Sequence, residues 1–173
     1  EGVDLAIRGG ILPDSGLIAR RLGMIEFVTC ASPAYLAKHG RPNHPNDLLK
    51  HQCVNYFSSK TGKVYDWDFS RDGETLNIPT PACLAVNDST VYTSAGLTGL
   101  GIVQMATMVA DPLIASGQME IILPDWTTAP LPVNAVYPQN RHLSAKVRVF
   151  VEWVADLFLA WPEQSKAKES TPG

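Results

Sequence analysis

The hydrophobic positions of the chain form short apolar runs that alternate with short amphipathic segments. The first run, residues 3–7, is stopped by Arg8-Gly9-Gly10 and predicts a strand of a parallel sheet that is buried on both faces. Strands alternating with short helices predict an α/β fold. Because such a domain rarely opens with its central strand, the pattern predicts the later part of a larger protein. Further strands are predicted at residues 25–30, 102–103, 119–123 and 133–137.

Helix boundaries are predicted from capping residues. Ser32 and Pro33 are typical of the cap and first position of a helix, and Gly40 of its end. A helical turn is predicted at residues 46–49. Residues 87–90, Asn-Asp-Ser-Thr, predict a second helix start, and Asp111-Pro112 predicts a third helix that Gly117 ends.

The last helix has the clearest periodicity. Ser144 is its predicted cap and Pro162 its predicted end, and residues 163–173 are predicted to be disordered. Its apolar positions keep i, i+3, i+4 spacing, so all of them are expected to pack on the sheet. They are Val147, Phe150, Val151, Val154, Leu157 and Phe158.

A hairpin is predicted in the middle of the chain. Tyr65, Trp67 and Phe69 recur at period two, so they share one strand face, which is expected to be core. The sequence Arg71-Asp72-Gly73 predicts the turn, and Leu76 and Ile78 continue on the return strand.

Composition narrows the class of protein. The 173 residues, 45% of them hydrophobic, suffice for one ordinary domain or two small lobes. A formal net charge of −3 argues against a nucleic-acid surface, and no apolar run reaches the roughly 20 residues of a membrane span. Cys30 and Cys83 lie in apolar strand contexts, where a buried inert thiol is favoured over a redox role. A reducing cytoplasm fits the three scattered cysteines best.

No residues suggest catalysis, a metal site or a cofactor. The four histidines, at positions 39, 44, 51 and 142, lack metal-ligand spacing and are read as solvated loop residues. Two segments suggest binding instead. Arg8-Gly9-Gly10 follows a strand, where open α/β sheets place ligands, and residues 87–90 supply free amides at a helix start, an arrangement that binds anions. Each segment also has a structural interpretation, as a turn and as a helix cap, and Asp88 is expected to cap the helix.

The ordered pattern resembles the effector-binding domain of LysR-type transcriptional regulators. The resemblance covers nearly everything up to residue 160, and the order and spacing of its stretches are more specific than any one of them. Those stretches are DLAIRGG (4–10), LPDSGLIARRLG (12–23), CASPAYLAKHGRP (30–42), HPNDLLKHQCVNY (44–56), WDF (67–69), ND (87–88), AGLTGLGI (95–102), IILPDW (121–126) and LPVNAVYPQNRHLSAKVRVFVEWV (131–154).

The resemblance implies a two-lobed α/β fold of the periplasmic-binding-protein type 2, here with an incomplete first lobe. Residues 1–32 and 131–160 would belong to the first lobe, 33–130 to the second, and 161–173 to a disordered tail. A small inducer, often a carboxylate or aromatic acid, would bind in the interlobe cleft. The implied ligand-binding residues are Arg8, Gly9 and Gly10 from the first lobe, and Asn87, Asp88, Ser89, Gly101, Ile102, Val103 and Gln104 from the second.

The resemblance also implies partners. The family's winged helix-turn-helix and the start of its first lobe are absent from this sequence, so DNA would be bound only through the absent N-terminal domain. The protein would be a bacterial, cytoplasmic homo-oligomer, with a dimer altered by truncation. A solute-binding protein of a transport system shares the fold and is the alternative, while an enzyme on this fold ranks third. An upstream helix-turn-helix or signal peptide would discriminate the first two.

Overall fold

The computed structural model describes residues 5–10, 17–59, 61–138 and 144–169. The chain divides into two compact units. Unit 1 comprises Glu1–Ile25 and Pro130–Gly173, and unit 2 comprises Glu26–Ala129. The sequence placed the first boundary at residue 32. The structure places it before Glu26, because the strand that follows pairs only with strands of unit 2 among the described residues.

Unit 1 is an antiparallel three-stranded sheet with one helix. Its strands are β1 (Ala6–Gly9), β2 (Leu17–Ile25) and β10 (Leu131–Pro138), in the order β1-β10-β2, and its helix is α4 (Ala145–Glu169). A small cluster of buried side chains joins the sheet to the helix. It consists of Leu22, Val133, Ala135, Val151 and Val154.

The prediction for the first strand is wrong in two respects. β1 pairs antiparallel with β10, and Ile7 is 46% exposed rather than buried. Among the described strands β1 has a neighbour on one side only, so its apolar residues are not enclosed. A short apolar run cannot by itself distinguish an edge strand from a central one. Residues 3 and 4 lie outside the described residues.

The predicted start of the last helix is confirmed, whereas its predicted packing and its predicted end are wrong. The Ser144 hydroxyl accepts from the Val147 amide at 3.4 Å. Val151 is buried, whereas Phe150 is 44% exposed and Leu157 is also exposed, so only part of the apolar stripe packs on the sheet. The helix does not end at Pro162 but continues to Glu169, which corrects the predicted tail up to that residue. The run EQSKAKE after the proline consists mostly of good helix formers.

Unit 2 contains the remaining strands and helices. The strands are β3 (Phe27–Ala31), β4 (Cys53–Tyr56), β5 (Trp67–Arg71), β6 (Glu74–Ile78), β7 (Ala82–Val86), β8 (Val103–Ala106) and β9 (Glu120–Ile121). β3 lies between β8 and β9, β4 pairs in parallel with β7, and β5 and β6 form a hairpin. The helices are α1 (Pro33–His39), α2 (Ser89–Leu97), α3 (Thr107–Ala115) and a 3-10 helix at Pro45–Lys50.

Two predictions from local chemistry are confirmed in unit 2. Ser32 accepts from the Tyr35 amide at 3.3 Å and Gly40 adopts a positive φ of 79°, so both ends of α1 are as predicted. The β5–β6 turn has positive φ at both Asp72 and Gly73, as a tight hairpin turn requires. Trp67 and Phe69 are buried as predicted, but Tyr65 is exposed and lies outside the strand.

One helix boundary and one burial prediction in unit 2 are wrong. α3 begins at Thr107, so Asp111 and Pro112 lie inside the helix rather than at its start. The apolar residues that precede Asp111, Met108 to Ala110, already belong to the helix. The free thiols also differ from each other. Cys30 is buried, which raises its pKa to about 12, whereas Cys83 is exposed.

Candidate functional site

The start of α2 contributes the first residues of the candidate site. Strand β7 ends at Val86, and Asn87 and Asp88 connect it to the helix. One oxygen of the Asp88 carboxylate accepts from the amides of Thr90 and Val91, both at 2.9 Å. Asp88 is therefore the helix cap, as expected. Since its carboxylate already occupies these amides, a ligand at this position would meet the side chains of Asn87 and Ser89 rather than the free helix amides.

Two tyrosines connect this helix start to strand β8. The Tyr56 hydroxyl donates to the Asn87 carbonyl at 2.6 Å, and the Tyr56 ring meets the Tyr92 ring edge-on at 5.8 Å between centroids. The Tyr92 hydroxyl in turn accepts from the Gln104 amide at 2.9 Å. Burial raises the pKa of Tyr92 well above its usual range, so this hydroxyl stays neutral. A continuous set of contacts thus links Asn87 with Gln104.

The segment before Gln104 is held tightly in the core. Ile102 and Val103 are fully buried, and the Ile102 amide donates to the Gln52 carbonyl at 2.9 Å. A Cβ on Gly101 would lie 2.8 Å from the same carbonyl oxygen, so only glycine fits there without a shift of the backbone. These residues fix the position of Gln104. Its side-chain nitrogen Nε2 is buried and has no hydrogen-bond acceptor among the described residues.

Tyr56 and Asn87 lie at the carboxyl ends of two parallel strands. β4 runs parallel to β7, with Tyr56 opposite Val86, and a single parallel bridge joins Cys53 to Ile102. Gln104 is the second residue of β8, near the start of that strand, whereas Tyr56 ends β4 and Asn87 follows β7, so Tyr56 and Asn87 share the carboxyl edge. Open α/β sheets bind ligands at this edge.

The candidate residues of unit 1 are at the end of β1. The Arg8 side chain is exposed and its residue is opposite Asn134 of β10. Gly10 has a positive φ of 96°, and its amide donates to the Pro132 carbonyl at 2.8 Å. A Cβ on Gly9 would lie 2.9 Å from the Leu131 side chain. The two glycines thus have a structural role in ending the strand, while Arg8 is free to reach solvent.

The histidines have structural partners. His44 caps the 3-10 helix, His39 stacks on Tyr35, and Nδ1 of His51 is 3.1 Å from the Tyr35 hydroxyl. In the described part of the chain, no group of three or more His, Cys, Asp or Glu side chains could hold a metal ion. His142 lies outside the described residues.

Comparison with known families agrees with the resemblance. Residues 1–159 match the LysR substrate binding domain family. The chain belongs to this family. None of the helices in the described ranges is long and apolar enough to span a membrane.

The curated relatives of this LysR domain are transcriptional regulators rather than enzymes. An uncharacterised HTH-type regulator of Escherichia coli, YhjC, is 37% identical over 90% of this chain and 52% of its own length. An HTH-type transcriptional repressor of Pseudomonas aeruginosa is 36% identical over 94% of this chain and 51% of its own length. The chain thus spans about half the length of these relatives.

Solved structures show the same fold. The regulatory domain of CrgA from Neisseria meningitidis is 33% identical, with a TM-score of 0.78 over 90% of this chain and 76% of that one. The regulatory domain of AphB from Vibrio vulnificus is 32% identical, with a TM-score of 0.72 over 89% of this chain and 75% of that one. The predicted fold, a periplasmic-binding-protein-like LysR effector domain, is confirmed.

Sequence reasoning missed two residues of this LysR domain. The sequence pattern does not single out Tyr92 within α2 or Tyr56 at the end of β4. Their hydroxyls join residues 31 and 12 positions away in sequence. No local pattern indicates such pairs, because both depend on how β4, α2 and β8 meet.

Proposed function

We propose that this domain senses a small organic acid, a carboxylate or aromatic acid, for a LysR-type transcriptional regulator. Asn87, Ser89 and Gln104 of unit 2 contact the effector, and Asp88 holds the helix start. Gly101, Ile102 and Val103 position Gln104. In unit 1, taken by itself, Arg8 offers a positive charge that suits an organic acid, and Gly9 and Gly10 fix the strand end that carries it.

The observation that supports this assignment most is the buried Nε2 of Gln104, which has no acceptor among the described residues. A buried donor without a partner costs roughly 1–3 kcal/mol, so a ligand oxygen that accepts from it gains that energy on binding. The Asn87 amide and the Ser89 hydroxyl, at the start of the helix that carries Tyr92, can also donate. A ligand rich in acceptor oxygens, such as a carboxylate, fits this set of groups.

A thermal-shift screen of small organic acids tests the proposal. A binder at 100 times its Kd is expected to stabilise the native chain by about 2.7 kcal/mol. Gln104→Ala and Ser89→Ala should remove most of the shift. Ser94→Ala, at an exposed position further along α2, is the matched control and should retain it. If all three variants lose the thermal shift equally, or if none of them changes the shift caused by a bound acid, these residues are rejected as the effector site.

We also propose that DNA recognition by the whole regulator resides outside this chain. The net charge of −3 supports this, because duplex binding depends on Lys and Arg contacts to phosphates. In a gel-shift experiment the chain should not bind duplex DNA at micromolar concentration. A salt-sensitive shift at that concentration would contradict the proposal.

A further inference from the structure

The three described strands of the unit 1 sheet carry positive charge and no acidic residue. Strands β1, β2 and β10 contain three arginines and no aspartate or glutamate. Arg8 is opposite Asn134, and Asn134 is opposite Arg21. Residues directly opposite on neighbouring strands share a face, so these three side chains form a row across the sheet. Val133 and Ala135, which flank Asn134, pack on α4, so the row is on the other face.

Asn134 holds one of the two arginines in place. It is only 8% exposed, and its Oδ1 accepts from Nε of Arg21 at 3.4 Å while its Nδ2 donates to the Gly10 carbonyl at 3.4 Å. Nη1 of Arg21 also contacts the Met24 sulfur at 3.3 Å. The guanidinium is therefore positioned from one side and keeps further N–H groups for another partner. Within the described ranges, neither Arg8 nor Arg21 forms an ion pair.

The spacing of the row suits a single bound anion. Neighbouring strands are about 4.8 Å apart, so the backbones at Arg8 and Arg21 are roughly 10 Å apart with Asn134 between them. Two long side chains on this spacing can converge on one oxyanion above Asn134. A guanidinium binds carboxylate and phosphate through paired N–H donors, and such an anion would offset the repulsion between the two cations.

We propose that Arg8 and Arg21 form an oxyanion site on unit 1, with Asn134 as a positioning residue. The site takes a carboxylate or a phosphate. It uses Arg8, the unit 1 residue of the proposed function, and to that extent rests on that function, whereas Arg21 and Asn134 have no role there.

The test is a titration of the whole chain at constant ionic strength, once with inorganic phosphate and once with acetate, each against chloride. The arginine Nε–H resonances are followed by NMR. We expect the Arg8 and Arg21 signals to shift in a saturable way, and the tighter of the two anions gives the ligand class. Arg21→Gln and Arg8→Gln should weaken binding at least tenfold, while Arg21→Lys, which keeps the charge but not the paired donors, should be intermediate.

Arg20→Gln is the matched control. It removes the same charge from the adjacent residue, but Arg20 is opposite Ala135 and therefore on the α4 face. The affinity of the Arg20→Gln variant for the anion should stay within twofold of that of the unsubstituted chain. Asn134→Ala should broaden the Arg21 Nε–H signal and weaken binding while circular dichroism remains unchanged, a result that a purely structural role would not give.

Unmoved arginine signals with both anions, or equal losses in Arg20→Gln and Arg21→Gln, would overturn the inference, because either result indicates an ordinary solvated surface. Ser89→Ala separates it from the proposed function. That variant should bind the anion normally even if it no longer responds to an effector. If the Arg21 variants bind the anion as well as the unsubstituted chain does, while the effector response still depends on Ser89, the oxyanion site alone is rejected.

Discussion

Unit 2 buries its large apolar side chains in two clusters of eleven and eight buried residues, whereas the cluster of unit 1 has five among the described residues. Nine large apolar side chains are exposed on unit 1, against seven on unit 2, although unit 1 has fewer described residues. Val149, Phe150, Trp153 and Leu157 are among them and lie along one side of α4. The same chain thus has a self-sufficient unit and one whose apolar surface exceeds its core.

The largest difference between the units is expected for one substitution made in each. Phe69 is fully buried in unit 2, so Phe69→Ala should cost about 3–5 kcal/mol of unfolding free energy. Phe150 is half-exposed on α4, and Phe150→Ala should cost less than about 1 kcal/mol. Urea denaturation measures both. Similar losses in the two variants would show that α4 is covered in solution and that the contrast between the units is wrong.

The second prediction concerns self-association through unit 1. β1 has an unpaired edge among the described strands and Ile7 is exposed on it, so two copies can pair or pack there. Ile7→Lys should weaken self-association about tenfold, or roughly 1.4 kcal/mol, in sedimentation at several concentrations. Leu100→Lys, at a similarly exposed apolar residue of unit 2, is the control and should have little effect. A compact monomer of 18.8 kDa at all concentrations would contradict the prediction.

A third comparison removes one helix cap from each unit. Asp88 accepts from two amides at 2.9 Å, whereas Ser144 accepts from one at 3.4 Å. Asp88→Ala should therefore cost about 1–2 kcal/mol, and Ser144→Ala about 0.5 kcal/mol. The midpoints of urea unfolding give both values. The reverse order would mean that α4 depends on its first turn more than α2 does.

The smallest expected effect is a pH dependence specific to unit 2. Burial, and then the neighbouring His39, lower the pKa of His51, while Asp47 acts in the opposite direction. The unfolded chain therefore takes up a proton near pH 6.5 that the native chain resists, so stability falls as the pH drops through and below about 6.5. His51→Gln should reduce this decline between pH 7.5 and 5.5. Parallel unfolding curves for the two proteins over that range would exclude His51 as the source.

The sequence predicted those parts of the fold that depend on near neighbours in the chain. The cap at Ser32, the turn at Asp72-Gly73 and the start of α2 each depend on residues within about four positions. The partners of β1 and the half-exposed side of α4 were predicted wrongly, because burial depends on which distant strand or helix is adjacent. The candidate site also has one part that near neighbours in the chain determine and another that distant elements determine. Asp88 was expected to be a cap, whereas the tyrosine contacts between Asn87 and Gln104 require three separate elements to meet.

The irregular pairing of β2 with β10 sets a limit on insertions and deletions. Asn134 is opposite Arg21 and Val133 is opposite Gly23, so Leu22 is the extra residue of a bulge. Both Leu22 and Gly23 consequently face α4, where Leu22 fills the cluster and a Cβ on Gly23 would lie 2.6 Å from Phe158. Loss of any one residue from β2 would remove the bulge and move half the strand to the opposite face. Homologous sequences should therefore vary in the residues of this strand more readily than in its length.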